Sequence, residues 1–309
     1  MEKGITVIQV VAPIFLAIFL GMCAQRKKDI SPEAIGGMQH FVVQYCLPCL
    51  IFRSCLTADL SSQVLSSMAL VPPLLLVTTL WSFRARKKQF PYFNLPMLFC
   101  CKETGMMGIP LFLILFGADQ AYRMGMLDLA QAVLAYPVLA ILSAGPNTEA
   151  SPKAVVKQML SSPLVILSIL GITLNVSGIW DWVESAGFGG IVIESISFMS
   201  QPVSAVMLFS VGYNFNLSGD NRALVFRITA IHVAVFAVFG VIVQAALFLI
   251  PGVDALTRWA ALMYCTLPSS YLASGFGRKQ EESVMASGVS SITTVLCLMI
   301  FCVIVTVIA

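Results

Sequence analysis

The sequence predicts an all-α polytopic membrane protein whose ten transmembrane helices form two five-helix repeats of opposite orientation. The first observation behind this prediction is composition, since 58% of the 309 residues are hydrophobic and only 11% are charged. Average globular chains carry roughly 25% charged residues, so a soluble domain of this composition would lack a polar surface. The second observation is a series of long apolar runs. The third is a set of landmarks that recurs in both halves.

Ten apolar segments are each long enough to cross a bilayer, which takes about 18 or more residues at 1.5 Å per residue. The predicted spans cover 5–24, 34–56, 62–83, 91–116, 120–143, 160–179, 188–212, 223–250, 257–277 and 282–308. The connectors are short, and no soluble domain fits between them. We therefore expect a first repeat at 1–143, a cytoplasmic linker at 144–159 and a second repeat at 160–309.

Lysine and arginine residues are concentrated on one side of the predicted bundle. Connectors after odd-numbered spans carry thirteen of them, the opposite side carries four, and Lys102 lies within a span. The positive-inside rule places the odd connectors in the cytoplasm and both termini outside. We expect a multi-pass protein of a bacterial inner membrane, surrounded by lipid. Because topology explains the basic residues, no nucleic-acid partner is expected.

Prolines stand at corresponding places in the two halves. Pro48 in span 2 corresponds to Pro202 in span 7, and Pro110 in span 4 corresponds to Pro268 in span 9. Pro48 and Pro110 in the first half are 62 residues apart, and Pro202 and Pro268 in the second half are 66 apart. Since each half holds an odd number of spans, the second repeat is expected to be inverted relative to the first.

Spans 4 and 9 are predicted to be broken helices. Pro110 cannot donate a backbone hydrogen bond and clashes with the preceding turn, while Gly105 and Gly108 lower the cost of unwinding. Pro268 is expected to act in the same way in span 9. Unpaired backbone is costly in lipid, so both breaks should face protein or a wet cavity. A simple pair of proline kinks is the alternative.

The two breaks predict a binding site for a small organic anion. In inverted repeats, the half-helices after Pro110 and Pro268 begin near the membrane midplane from opposite directions. Each helix N-terminus offers free N–H groups and about half a positive charge. Ser269 and Ser270 directly follow Pro268 and add hydroxyl donors.

Lys102 and Glu103 form an ionisable pair inside span 4, where such residues mark functional sites by default. Adjacent helical residues point about 100° apart, so separate partners are expected. Asp128 in span 5, at the start of Asp128-Leu-Ala-Gln131, is the expected partner of Lys102. We assign coupling or charge compensation to Lys102, Glu103, Asp128 and Gln131. A lysine–carboxylate pair that only fixes helix packing is the alternative.

Several motifs together resemble the auxin efflux carrier family, which includes plant PIN auxin exporters and bacterial carriers of malonate and other carboxylates. They are Leu20-Gly21 before a basic loop, Leu47-Pro48, and Ser162-Pro-Leu164 with Gly171 to Asn175. The most specific is Thr104-Gly-Met-Met-Gly-Ile-Pro-Leu111. The likeness covers nearly the whole chain.

The resemblance implies a scaffold domain of spans 1, 2, 6 and 7 and a mobile transport domain of spans 3–5 and 8–10. Spans 4 and 9 would cross beside the substrate, which places Thr104 and its motif at the site. The resemblance also implies a homodimer through the scaffold and an elevator-type shift. Many members have Asn where this chain has Glu103, an ionisable substitution beside the expected substrate.

These features predict a secondary active transporter of a mono- or dicarboxylate, driven by H⁺ or Na⁺, and not an enzyme. A sodium-coupled carrier of the bile-acid symporter type is the nearest alternative. A membrane thiol oxidoreductase at Cys46 and Cys49, and a substrate-sensing receptor, are alternatives from other classes. No cofactor or metal is expected, since His40 and His232 have no further ligand at metal-binding spacing.

The topology is testable with reporter fusions. We expect a periplasmic reporter fused after Ala309 to be active and a cytoplasmic reporter at the same position to be inactive. The opposite pattern would contradict both the orientation and the inverted repeat.

Overall fold

The computed structural model describes residues 2–58, 69–143, 157, 160–216, 222–275 and 277–308. These residues form helices joined by short turns. The only β-structure within these ranges is one antiparallel bridge between Lys102 and Ser269. The predicted all-α class is therefore confirmed for this part of the chain.

The first half contains seven α-helices among the described residues. They are α1 (Glu2–Lys27), α2 (Pro32–Phe41), α3 (Leu47–Leu56), α4 (Val71–Lys88), α5 (Leu95–Cys100), α6 (Ile109–Phe116) and α7 (Ala121–Ser143). Local chemistry fixes several ends. Ser31 caps α2 by accepting a 3.2 Å hydrogen bond from the Ala34 N–H, and Pro32 occupies the first helical position.

The second half contains eight α-helices in the part of the chain that the structure describes. They are α8 (Pro163–Val176), α9 (Ile179–Ser185), α10 (Gly189–Ser200), α11 (Pro202–Tyr213), α12 (Arg222–Leu249), α13 (Ala255–Thr266), α14 (Leu272–Gly275) and α15 (Gln280–Ile308). Asp254 caps α13, since its carboxylate accepts a 2.6 Å hydrogen bond from the Thr257 N–H.

Five described segments are long and apolar enough to cross a membrane. They are Val7–Lys27, Pro32–Leu56, Gly189–Tyr213, Arg222–Leu249 and Gln280–Ile308. The pair of α8 and α9, bent by 74°, adds a sixth if it is one span. Five to six spans are thus supported by length and composition, and the count of ten stays a prediction. Most of the expected linker, and the start of the expected third span, lie outside the described residues.

Two prolines each follow a five-residue π-helical turn. Val42–Cys46 precedes Leu47-Pro48, and Thr104–Gly108 precedes Ile109-Pro110. A π turn holds more backbone than an α turn, so the ring and its missing N–H fit into the first turn of the next helix. The sequence predicts that Pro110 breaks its span, and this prediction is wrong, because the helix continues through Pro110. Instead α5 ends at Cys100 and the break lies at 101–103.

The break in the ninth predicted segment lies where the sequence predicts it. Helix α13 ends at Thr266 and α14 begins at Leu272, with Pro268 between them. Leu267 has the extended ψ of 150° that ends the helical ladder. The half-helix that follows is a single turn of four residues, much shorter than the sequence predicts.

Polar contacts join several turns at one end of the bundle. Arg53 at the end of α3 forms a 2.8 Å ion pair with Asp119, which follows α6. Arg123 at the start of α7 pairs with Asp254, which precedes α13. The Asn175 side chain in α8 donates to the carbonyl of Cys55 over 2.9 Å. The ends of predicted spans 2, 4, 6 and 8, together with the turns that follow them, therefore contact one another at this end of the bundle.

Asp254 shows how this end responds to pH. Burial opposes its ionisation, but hydrogen bonds from Thr257 and Arg123 outweigh burial and hold the pKa of Asp254 below its ordinary value. A carboxylate with a lowered pKa stabilises the fold fully above its unfolded pKa of about 4. This contribution is lost as the pH falls through the lowered pKa.

A second set of contacts joins the turns at the other end. The Glu282 carboxylate at the start of α15 accepts a 3.0 Å hydrogen bond from the Phe93 N–H, which precedes α5. Asn94 donates to the Glu282 carbonyl over 2.9 Å. The Tyr213 hydroxyl at the end of α11 donates to the Ile30 carbonyl over 2.8 Å. These residues lie in the connectors after predicted spans 1 and 7 or at the starts of predicted spans 4 and 10, which is the same end of the bundle.

Helices α1 and α11 touch backbone to backbone. A Cβ added to Gly212 would lie 1.9 Å from the Ile18 carbonyl oxygen, and one added to Gly21 would lie 2.0 Å from that of Phe209. Small residues at helix contacts give this close approach in membrane proteins, where packing replaces the hydrophobic effect. The two helices therefore pack closely, and α11 also lines the site described below.

We expect Gly212→Ala to lower the free energy of unfolding by about 1–3 kcal/mol, because the methyl group forces the two helices apart. Thermal unfolding of the purified protein in detergent measures the loss. Gly37→Ala in α2 is the matched control, since an added Cβ there meets nothing within 4 Å. Equal stability of the two variants would contradict the contact.

Candidate functional site

The breaks of the fourth and ninth predicted segments cross each other in antiparallel fashion. Lys102 pairs with Ser269 as a β-bridge, and the Glu103 N–H donates to the Pro268 carbonyl over 3.0 Å. Each break thus satisfies backbone groups of the other. This pairing explains how extended backbone is tolerated inside an apolar bundle.

Lys102 lies at the C-terminal end of α13. Its buried ammonium donates a 2.8 Å hydrogen bond to the Leu267 carbonyl and lies 2.9 Å from His232 Nε2. It also lies 3.4 Å from the centre of the Phe236 ring. A cation at the negative end of a helix is favourable. The expected pairing of Lys102 with Asp128 is wrong, because the break directs the ammonium toward α12 and α13.

Glu103 lies at the N-terminal end of α14. Its carboxylate accepts a 2.7 Å hydrogen bond from the Tyr271 N–H and a 3.0 Å hydrogen bond from the Ser270 hydroxyl. The expectation that Lys102 and Glu103 have separate partners is confirmed. The donors predicted to hold a bound anion here are thus held by the protein's own carboxylate.

Ser269 and Ser270 have different surroundings, although the sequence assigns both to one site. The Ser270 hydroxyl faces Glu103 as described. The Ser269 hydroxyl lies 3.1 Å from that of Ser290 in α15, and the Ser269 N–H donates to Thr293 over 3.3 Å. Ser269 therefore joins α15 to the break. The reason is the β-bridge, in which successive side chains point to opposite sides.

Gln131 in α7 holds the backbone of the first break. Its side-chain oxygen accepts a 2.8 Å hydrogen bond from the Lys102 N–H and a 2.9 Å one from the Tyr264 hydroxyl. Its side-chain nitrogen lies 2.7 Å from the Asp128 carboxylate and within hydrogen-bond reach of Thr104. The neutral amide thus fixes the crossing and donates a hydrogen bond to the Asp128 carboxylate.

A cavity of about 450 Å³ opens beside the crossing. Residues of α2, α8 and α11 form one wall, and the first break, α7 and α14 form the other. Six predicted site residues line it: Lys102, Glu103, Gly105, Asp128, Gln131 and Ser270. The remaining five are buried or packed elsewhere and do not line it: Thr104, Gly108, Pro110, Pro268 and Ser269.

Gly108 has a packing role that the sequence analysis did not predict. A Cβ at this position would lie 2.7 Å from the Leu267 side chain. The glycine therefore lets the π turn approach the second break closely. Conformational freedom is not what the position requires, since its φ of −58° is helical.

The cavity carries more acid than base. Glu103 and Asp128 line it, whereas the Lys102 ammonium is directed away to His232 and Phe236. Gln39, His40 and Ser162 add polar groups that the sequence analysis did not assign. A small anion fits this cavity only if protons on the Glu103 and Asp128 carboxyl groups, or on the anion itself, reduce the total negative charge.

His232 and Tyr271 are the main site residues that sequence reasoning missed. His232 is buried at 2% exposure in the middle of an apolar helix, which is itself a signal of function in membrane segments. Tyr271 contributes its backbone N–H, so its side-chain type gives no signal. Among the described residues, no cluster of three or more His, Cys, Asp or Glu side chains has metal-binding geometry.

Comparisons with known proteins agree with the resemblance. The family described as Membrane transport protein matches residues 6–153. An uncharacterized transporter of Methanothermobacter thermautotrophicus is 21% identical over 216 residues, which cover 67% of this chain and 68% of the relative. The family match covers just under half of the chain and agrees with the resemblance of the motifs to the auxin efflux carrier family. The membrane-length helices indicate a multi-pass membrane protein, and the matches show that it is similar to membrane transport proteins.

The contacts of Glu103 predict a difference between two variants. We expect Glu103→Gln to unfold at nearly the wild-type temperature, because the amide oxygen still accepts from Tyr271 and Ser270. Glu103→Leu should lose about 1–3 kcal/mol, since it leaves the buried Tyr271 N–H unpaired. Thermal unfolding in detergent distinguishes the two, and equal stability of the Gln and Leu variants would contradict these contacts.

Proposed function

We propose that this chain, whose residues 6–153 match the Membrane transport protein family, is a secondary active transporter of a small organic anion and a member of the auxin efflux carrier family. The substrate class we infer is a mono- or dicarboxylate. One observation carries the proposal: Ser270 and the Tyr271 N–H hold a carboxylate, that of Glu103, at the edge of a cavity. A substrate carboxylate would use the same donors.

We infer ten spans arranged as two inverted repeats, at 1–143 and 160–309, joined by a linker at 144–159. Two sets of contacts support this arrangement. Turns after even-numbered predicted spans meet at one end of the bundle, for example through Arg53 and Asp119. Connectors after odd-numbered spans meet at the other end, for example through Tyr213 and Ile30. A chain that crosses the bilayer ten times would bring these same turns together.

Transport would follow an elevator-type shift of one group of helices against another. The proposed scaffold contains α1 to α3, α8, α10 and α11, and its rigid contact at Gly212 supports a fixed role. The proposed transport domain contains α4 to α7 and α12 to α15. The cavity lies between the two groups, and the Arg53–Asp119 ion pair crosses their boundary at one end. That ion pair would have to open during the shift.

We also propose that the protein forms a homodimer through the scaffold. It would lie in the bacterial inner membrane with both termini outside. Exposed apolar side chains on the scaffold helices, such as Phe19 and Phe198 at 60% and 71% exposure, need lipid or a second copy to cover them.

Proton coupling follows from the position of Glu103. In its ionised form this carboxylate holds the two donors and adds negative charge beside Asp128, which opposes entry of an anion. A proton on Glu103 removes that charge and frees the donors for the substrate. The anion and the proton would then bind together and cross together. Sodium coupling, as in the bile-acid symporter type, is the alternative, and sodium dependence of uptake distinguishes them.

A carrier of small organic cations is the second candidate function. Glu103 and Asp128 both line the cavity, while the Lys102 ammonium is directed elsewhere. Ionised, the two carboxylates would attract a cation. Thermal shifts of the purified protein with small carboxylates and small amines test the two substrate classes, because a ligand of the native state raises its stability.

We expect Glu103→Gln to abolish pH-driven accumulation of the substrate in vesicles while it spares exchange of substrate against substrate. The neutral amide cannot take up a proton, but it leaves the cavity intact. Uptake with and without a pH gradient measures the first effect, and counterflow measures the second.

Glu281→Gln at the start of α15 is the matched control, since Glu281 is exposed and does not line the cavity. Persistence of pH-driven accumulation in the Glu103→Gln variant would contradict proton coupling through this residue. Equal loss of accumulation and exchange would point to a structural role.

A further inference from the structure

A second cavity, of about 460 Å³, has its own set of lining residues and shares only Lys102 with the central cavity. Helices α12, α13 and α15 form its walls, and Lys102 and His232 lie at its inner end. Leu262, Leu296 and other apolar side chains line most of it. The proposed transport function does not use this cavity.

The side-chain nitrogen of Lys102 is buried and has no carboxylate partner among the described residues, so burial disfavours its charged form unless an anion binds beside it. Among the described residues, the ion pairs formed are those of Arg53 and Arg123. The groups in contact with this nitrogen are the Leu267 carbonyl, the His232 ring and the Phe236 ring. The thiols of Cys101, Cys265 and Cys297 are also near it, and none of these groups is a carboxylate. Buried charges in proteins are normally paired. The cavity therefore offers a site for one negative charge.

The outer end of the cavity lies on the surface of membrane-length helices. Val241 in α12 is 71% exposed, and Ile300 in α15 is 40% exposed. In a membrane protein such apolar surface faces lipid. A ligand that enters here comes from the bilayer, with an apolar body that suits the walls.

We propose that this cavity binds a long-chain fatty acid, with its carboxylate on the Lys102 ammonium and its alkyl chain along α12, α13 and α15. Charge complementarity selects the acid group, and the apolar walls select the chain. The cavity lies between helices, which is a common location for ligand-binding pockets in helical bundles.

The depth of Lys102 favours a fatty acid over a phospholipid. The ammonium contacts His232, ten residues from the Arg222 end of α12, which is about 15 Å at 1.5 Å per residue. A phospholipid phosphate stays in the headgroup region, outside a hydrocarbon core about 30 Å thick. A single-chain acid has a much smaller head with one charge, which Lys102 can balance at this depth.

Photolabelling tests the proposal. The purified protein in lipid nanodiscs is irradiated with a photoactivatable palmitate analogue, and labelled peptides are identified by mass spectrometry. We expect labels on α12, α13 and α15, with palmitate as an effective competitor. Methyl palmitate, which lacks the charge, and phosphatidylglycerol, which keeps its headgroup, should compete poorly. Equal competition by either lipid would overturn the assignment.

Two variants locate the site. Lys102→Met should reduce labelling by the palmitate analogue, and raise the palmitate concentration needed to compete with it, about tenfold, because it removes the counter-charge. Lys88→Met, at an exposed lysine, is the matched control and should bind like the wild type. Undiminished labelling in a folded Lys102→Met protein would overturn the proposal.

Ala237→Phe provides a second test that leaves Lys102 in place. Ala237 lines the cavity at an exposed position, so a ring there fills the space without disturbing the core. We expect labelling of α12 to fall severalfold while thermal stability is unchanged. If Ala237→Phe labels as strongly as the wild type, the fatty acid does not occupy this cavity, whatever the behaviour of the Lys102 variant.

Discussion

The structure depends on one antiparallel crossing of two unwound segments. Lys102 and Glu103 run past Leu267 to Tyr271, and the pair of charges meets the two ends of the broken ninth segment. The ammonium lies at the carbonyl end of α13 and the carboxylate at the amide end of α14. The ammonium form of Lys102 thereby balances the dipole of α13, and the Glu103 carboxylate accepts from a free N–H before α14. Backbone hydrogen bonds between the two breaks satisfy polar groups that an intact helix would have paired internally.

This arrangement also explains why polar side chains cluster at the crossing. Gln131 binds the Lys102 N–H, and Tyr264 binds Gln131, so the break is supported from α7 and α13 together. In an apolar environment such a network is stable only if nearly every donor and acceptor is paired. The two cavities both reach this network of paired polar groups. Lys102 is the residue that borders both.

The two π turns and the close α1–α11 contact are local solutions to problems that the membrane creates. A π turn before Pro48 and another before Pro110 keep the helix continuous where proline removes a donor. Gly21 and Gly212 let two helices approach without the hydrophobic effect that would drive them together in water. Helices thus continue through these positions, whereas the extended backbone lies at the crossing, beside the central cavity.

The sequence by itself determined the membrane class, the helical segments, the family motif from Thr104 to Leu111 and the neighbourhood of the breaks. These follow from local properties, namely the length of apolar runs and the missing N–H of proline. The tertiary structure alone decided that Glu103 meets Tyr271, that Lys102 meets His232 instead of Asp128, and that Pro110 lies outside the break. Lys102 and His232 are 130 residues apart in the chain. Contacts over such a distance depend on which helices pack together, and neither local pattern nor periodicity carries that information.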